Sequence, residues 1–226
     1  MLDIFKKVLI IAAHPDDEIL GVGGTIPLMV QMKKKVDVLI FTDGSSTQYF
    51  NNKNILEDKF EEARLANSLL GSNLLPRLDF PDMRLDTVAH VDKNIALDKI
   101  ISEGGYDTVF VQDNSDINKD HKELFESTIV ACRTYPGQKV KNLLSYYVNS
   151  STEWGNLLQK HPFNPNVFID ISSSIEKKLN SMGMYQTELR SYPHPRSLEG
   201  LRNTAKYYGN MVGIEYAEPF RLIYSK

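Results

Sequence analysis

His14, Asp16, Asp17 and Glu18 fall within five residues, directly behind an apolar run from Val8 to Ala13. Carboxylates gathered this closely repel one another and lose solvation in a shared cleft, so a positive partner is expected among them, most simply a divalent metal. His14 and Asp17 are three apart, which lets both side chains face one point in a turn or a first helical turn. A second dense polar cluster runs from Gln112 to His121 and ends in Asp120-His121. His14, Asp17 and His121 together make two imidazoles and one carboxylate, the protein ligand set of many catalytic zinc sites, which keep a fourth position open for water. One zinc per chain is the expected cofactor. Asp16 adjoins a ligand but points elsewhere, because neighbouring side chains do not share a face, and so is free to serve as general base.

The first cluster alone also suits a helix N-terminus, where Asp and Glu are favoured by the dipole. It is His121, at the end of another strand, that tips the balance towards metal. His194, between Pro193 and Pro195 and followed by Arg196, is rigidly displayed. It fits a proton donor or a substrate contact, and equally a loop joining two helices. Trp154, the single tryptophan, fits a sugar-stacking platform or a core position. Gly21-Val22-Gly23-Gly24 lacks the G-x-G-x-x-G spacing, and the acids before it would repel a pyrophosphate. His90 and His161 read as surface or cap residues.

These clusters need strands to deliver them. The run at 8–13 is short, β-branched and apolar on both faces, as a central parallel strand must be. Further strands are expected at 36–41, 74–80, 106–111, 143–148, 167–171 and 220–224, and helices at 24–35, 55–70, 87–102, 122–133, 175–189 and 198–209. Polar residues 45–54 read as a loop over the sheet edge, and the stretch around Trp154 and residues 162–165 as another. Strands and helices alternate almost throughout, which predicts one α/β, Rossmann-like, doubly wound domain over residues 1–226 with a mostly parallel sheet. Late strands and helices would complete the active-site wall. Both polar clusters then sit at C-terminal strand ends, where such sheets bind ligands.

Composition excludes several classes. With 226 residues, 42% hydrophobic and 24% charged, and a net charge of −3, the chain offers no footprint for nucleic acid. The single Cys132 rules out an internal disulfide framework and reads as a buried structural thiol. The six-residue apolar run after Lys6-Lys7 is too short for a signal peptide or a membrane span, so a cytoplasmic location is expected.

Ala13-His14-Pro15-Asp16-Asp17-Glu18 with a downstream Asp120-His121 resembles the PIG-L/LmbE-like family of zinc-dependent deacetylases. The likeness extends to Thr42-Asp43-Gly44, the Glu61-Glu62-Ala63-Arg64 helix ending in Leu70-Gly71, and the closing Ala217-Glu218-Pro219-Phe220. It implies removal of acetyl from an N-acetylglucosamine-type amine, with His14, Asp17 and His121 as metal ligands and Asp16 as base. Arg84 falls where relatives often hold substrate, and Arg196, Asp113 and Trp154 join it as substrate-binding candidates. One departure stands out: where the family often has His-Pro-Asp-His, this chain has Asn118-Lys119-Asp120-His121. Asparagine can donate to an oxyanion but cannot deliver a proton. Either Asp16 handles both proton transfers or His194 supplies the missing acid. Some relatives lend late loops to a neighbouring subunit's site, so a homo-oligomer with His194 acting in trans is a further option. The rival expectations are a catalytically weakened metal- or sugar-binding protein of the same fold and a nucleotide-binding domain using the glycine turn.

Overall fold

β1 (Lys7–Ala12) is buried along nearly its whole length, and its alternate side chains enter two different cores. Val8, Ile10 and Ala12 face one cluster, while Leu9, Ile11 and Ala13 face the other. A strand apolar at every position can only be accommodated with helices on both faces. The computed structural model, which describes residues 1–44, 53–158 and 162–226, shows this arrangement. The predicted loop at 45–54 therefore lies mostly outside the described residues, as does His161.

β2 (Lys35–Ile40), β3 (Asn73–Leu74), β4 (Thr108–Gln112), β5 (Asn142–Tyr146), β6 (Val167–Asp170) and β7 (Ala217–Ser225) complete a seven-stranded sheet in the order β3-β2-β1-β4-β5-β7-β6. Pairing is parallel from β3 through β5, and β7 runs antiparallel to both β5 and β6. The first core is closed by α1 (Asp17–Val22), α2 (Thr25–Gln31), α3 (Lys53–Leu70), α7 (Ile175–Met182) and α8 (Leu198–Val212). The second is closed by α4 (His90–Gly104) and α5 (Lys119–Ala131). Chain direction away from the centre reverses between β1 and β4, which opens a crevice at their C-terminal ends.

Several boundaries differ from expectation for identifiable reasons. The strand expected at 74–80 is reduced to Asn73–Leu74 and an isolated bridge at Phe80, because Pro76 has no N–H to give. Leu75 N and Leu78 N still bond to Val38 O and Ile40 O. The helix expected at 24–35 is α2, which ends at Gln31, and it is preceded by a helix the sequence reading took for a turn: α1 begins at Asp17, with Asp17 and Glu18 in its first turn. The glycines mark packing, not a nucleotide cradle: a Cβ on Gly21 would stand 2.1 Å from the Tyr146 ring. Tyr146 Oη in turn donates to Ile11 O at 2.8 Å, tying β5 to β1.

The helix expected at 122–133 begins at Lys119, placing Asp120 and His121 in its first turn. The helix expected at 175–189 stops at Met182, and the following segment folds back towards the crevice. The predicted loop around Trp154 instead contains α6 (Thr152–Leu158). Cys132 caps α5, fully buried, with its carbonyl accepting from Tyr224 Oη at 2.6 Å. Among the described residues no helix is long and apolar enough to cross a membrane.

Candidate active site

The turn after β1 carries the chemistry. Asp16 holds a left-handed backbone at φ 113°, ψ −27°, unusual for a residue with a side chain, and this bend separates its direction from that of its neighbours. Asp17 Oδ2 lies 3.3 Å from His14 Nδ1 and 3.3 Å from His121 Nε2, and the two ring nitrogens are also 3.3 Å apart. Three donor atoms thus form an equilateral triangle. Zinc–ligand bonds of about 2.0–2.2 Å at tetrahedral angles require ligand atoms about 3.3–3.5 Å apart, so these residues fit that ion.

Each corner of the triangle is held from behind. Asp17 Oδ2 accepts from His14 N and Gln112 Nε2, both at 2.8 Å. His14 turns its other nitrogen, Nε2, to Asp120 Oδ2 at 3.1 Å and Asp82 Oδ1 at 3.5 Å. Asp116 Oδ2 stands 3.0 Å from His121 Nδ1. Asp116 is itself fixed by Ser151 Oγ, by Thr152 Oγ1 at 2.8 Å and by Asn118 N at 2.8 Å. Such partners set ring orientation and tautomer in metal centres.

Electrostatics follow from this crowding. Burial works against charge on His14, but Asp120 and Asp17 prevail and lift its pKa to about 10. Burial likewise opposes the charge on His121, yet Asp17 and Asp116 raise it well above the usual imidazole range. Burial and the repulsion of Asp17 and Glu188 push Asp16 well above the carboxylate range, with Arg196 opposing. Asp17, despite burial, is drawn below it by the two imidazoles. A carboxyl pushed up beside one drawn down is the pattern of divided catalytic roles.

A cavity of about 460 Å³ opens over the triangle. His14, Asp16, Asp17, Asn118, His121 and Arg196 line it together. Asn118 caps α5, its Oδ1 accepting from Asp120 N at 2.9 Å, while its amide Nδ2 donates to Met83 Sδ at 3.6 Å and has a second hydrogen to give. Arg196 Nη1 reaches Asp16 Oδ2 at 3.3 Å and Glu188 Oε2 at 2.6 Å, while Lys59 Nζ holds Glu188 Oε1 at 2.6 Å.

The other four predicted site residues lie off the cavity wall. His194 Nδ1 accepts from Arg196 N at 3.0 Å, and burial together with Arg196 and Arg190 lowers its pKa. Its ring shapes the Arg196 loop and does not line the cavity. Trp154 is 58% exposed on α6, neither core nor cavity lining. Arg84 is exposed at the head of a short 3-10 turn, Leu85–Thr87. Asp113 is fully buried, accepting from Ser145 Oγ at 2.5 Å and paired with Arg221 Nη2 at 3.1 Å.

Sequence reasoning missed Asp82, Lys59, Glu188 and Asn149, all on the wall. Asp82 was within reach, since Pro81-Asp82 ends an apolar stretch as His14 does. Lys59 and Glu188 sit in ordinary polar surroundings with no local signal.

Comparison with known proteins agrees with this architecture. Diacetylchitobiose deacetylase of Thermococcus kodakarensis is 28% identical over 226 residues, 96% of this chain and 83% of that one. The solved N,N'-diacetylchitobiose deacetylase of Pyrococcus horikoshii superposes with a TM-score of 0.79 at 22% identity, covering 98% of this chain and 85% of that one. The 4-carboxy-2-hydroxymuconate hydratase GalB of Pseudomonas putida KT2440 shares the fold as well, with a TM-score of 0.72 at 20% identity over 98% and 97% of the two chains. Fold alone therefore does not fix the reaction. The PIG-L family model, described as GlcNAc-PI de-N-acetylase, matches residues 9–132, a span that takes in both polar clusters. By that match the chain belongs to the PIG-L family.

Proposed function

We propose that this protein is a zinc-dependent hydrolase that removes the acetyl group from an N-acetylated amino sugar, releasing acetate and a free amine. The observation that carries the proposal is the 3.3 Å triangle of His14, Asp17 and His121 at the base of a cavity, with Asp16 beside it. The names of the two chitobiose deacetylases favour a small N-acetylglucosamine conjugate. A cytoplasmic location and a single domain over residues 1–226 complete the proposal.

His14 Nδ1, Asp17 Oδ2 and His121 Nε2 would hold the zinc. When bound, zinc supplies Lewis acidity that polarises an acyl oxygen and makes water acidic near neutral pH. Asp16 takes the proton as the water oxygen bonds to the acetyl carbon. Its raised pKa suits it to keep that proton and then deliver it to the amine nitrogen as the carbon–nitrogen bond breaks. Arg196 Nη1 orients the carboxyl for both steps. Asn118 Nδ2 donates to the developing oxyanion. With His194 turned onto the Arg196 backbone, one carboxyl carries both transfers.

The test is metal content by elemental analysis together with acetate release from N,N'-diacetylchitobiose and other N-acetylglucosamine conjugates. About one zinc per chain, lost in His121→Ala together with acetate release, is the expected result. Zinc binding with no acetate release from any such conjugate would favour a metal-holding protein without this activity, a reading supported by the commitment of Asn118 to its helix cap.

A further inference from the structure

Lys93 lies on α4, outside the cavity, and is only 1% exposed. Its ammonium is completely satisfied: Nζ donates to Leu85 O at 2.6 Å, Val88 O at 3.2 Å and Glu123 Oε2 at 2.7 Å. Three donors thus meet three acceptors. Two of those acceptors are carbonyls of the turn after Arg84, and the third is on α5, two residues beyond His121. Leu85 then turns its own N–H to Asp120 Oδ1 at 3.0 Å, and Asp120 Oδ2 meets His14 Nε2 at 3.1 Å. A continuous chain of polar contacts runs from a buried lysine to a metal ligand.

Net stability alone is weak ground for choosing a lysine over an apolar pair there. A whole buried ion pair is commonly replaceable by apolar side chains of similar volume with no loss of stability, although removing one partner alone leaves the other uncompensated. What an apolar residue cannot do is grip two carbonyls and a carboxylate at once. The turn's own hydrogen bonds and the burial of Leu85 fix its shape, and the lysine grip adds its attachment to α5, on which the aim of Leu85 N–H at Asp120 depends.

We propose, resting on the zinc assignment above, that Lys93 is a positioning residue for the metal centre. It clamps the 85–88 turn to α5 so that Leu85 N–H fixes Asp120, and Asp120 fixes the orientation of His14. Outer partners of metal ligands are typically worth about 10–100-fold in metal affinity.

Cobalt(II) titration of the full-length protein, followed by visible absorption, tests this in wild type, Lys93→Met, Asp120→Asn and the double variant. Lys93→Met should weaken cobalt binding about tenfold, at the low end for outer partners because it acts through a second residue. In the Asp120→Asn background, where the relay is already cut, adding Lys93→Met should cost nothing more. Glu123→Gln removes one charge from a partly exposed acceptor and should weaken binding about threefold, which keeps the test open if Lys93→Met does not fold. Cobalt affinity unchanged in Lys93→Met and Glu123→Gln would overturn the proposal. So would losses that simply add in the double variant, since Lys93 would then support the fold generally. If wild type itself took up no cobalt, the zinc assignment would fall and this proposal with it. Tight wild-type binding with indifferent variants would sink this proposal alone.

Discussion

The two sides of the cavity are built differently. On the metal side, His14, Asp17 and His121 come from the end of β1 and the first turns of α1 and α5, each braced by buried partners. On the opposite side, Lys59 comes from α3, Glu188 and Arg196 from the segment between α7 and α8, and Asn149 to Ser151 from the connection after β5. Ion pairs, not strand ends, hold that wall together. Sites on regular elements are placed more accurately than sites on loops. The metal side is thus suited to fix the reaction, and the wall to select what enters, as connecting segments commonly do.

Asp16 sits where the two sides meet, and changing it gives the sharpest separation. Asp16→Asn should keep zinc, by elemental analysis, while kcat falls about 10²–10⁴-fold. Loss of the metal along with turnover would mean that the base and the ligand triangle are one unit. Next in size, Asn118→Asp retains a good helix N-cap but deletes the amide donor. Its kcat should fall about 10²-fold with thermal stability unchanged; an unaffected kcat would confine Asn118 to its cap.

A wall substitution should act on binding and stability. Burial pushes the Glu188 carboxyl up, but Lys59 and Arg196 hold it below the usual range. A carboxylate so depressed stabilises the fold fully above the ordinary glutamate pKa of about 4.3, and that contribution disappears as pH falls through the lower folded-state value. Glu188→Gln should therefore raise KM about three- to tenfold, lower stability at pH 7 by about 2 kcal/mol and flatten the acid limb of the melting curve. Equal acid limbs in mutant and wild type would show that the wall carries no such linkage. Smallest of all, Trp154→Ala should change kcat/KM by less than about twofold, as expected for an exposed side chain away from the cavity. A large rise in KM would extend the wall out to α6.

What the sequence revealed follows the same division. The triangle was legible because His14 and Asp17 are three apart and both they and His121 follow apolar strands, within dense polar clusters that a single chain displays clearly, although His121 lies 107 residues from His14. The mostly parallel sheet followed from the same runs, and only Pro76 and the reversed β7 altered its edges. The wall was not legible. Lys59 meets Glu188 across more than a hundred residues, and neither belongs to a local pattern. The placement of His194 off the cavity wall was not legible for a related reason: two prolines announce rigidity but not direction, and its ring bonds to the backbone two residues ahead. Asn118 read as a lost acid because its cap contact depends on where α5 starts, and boundaries are the least certain part of a sequence reading.

Cys132 gives the molecule a built-in clock. Burial pushes its thiol up to about 12, so at neutral pH almost no thiolate exists and none of the sulfur meets solvent. It is also the only cysteine in the chain. A thiol reagent can therefore mark the protein only while the α5 end of the second core stands open, and the marking rate counts those openings. Slower marking once metal is added would mean that the ion holds down not only its three ligands but the far end of the helix that presents His121.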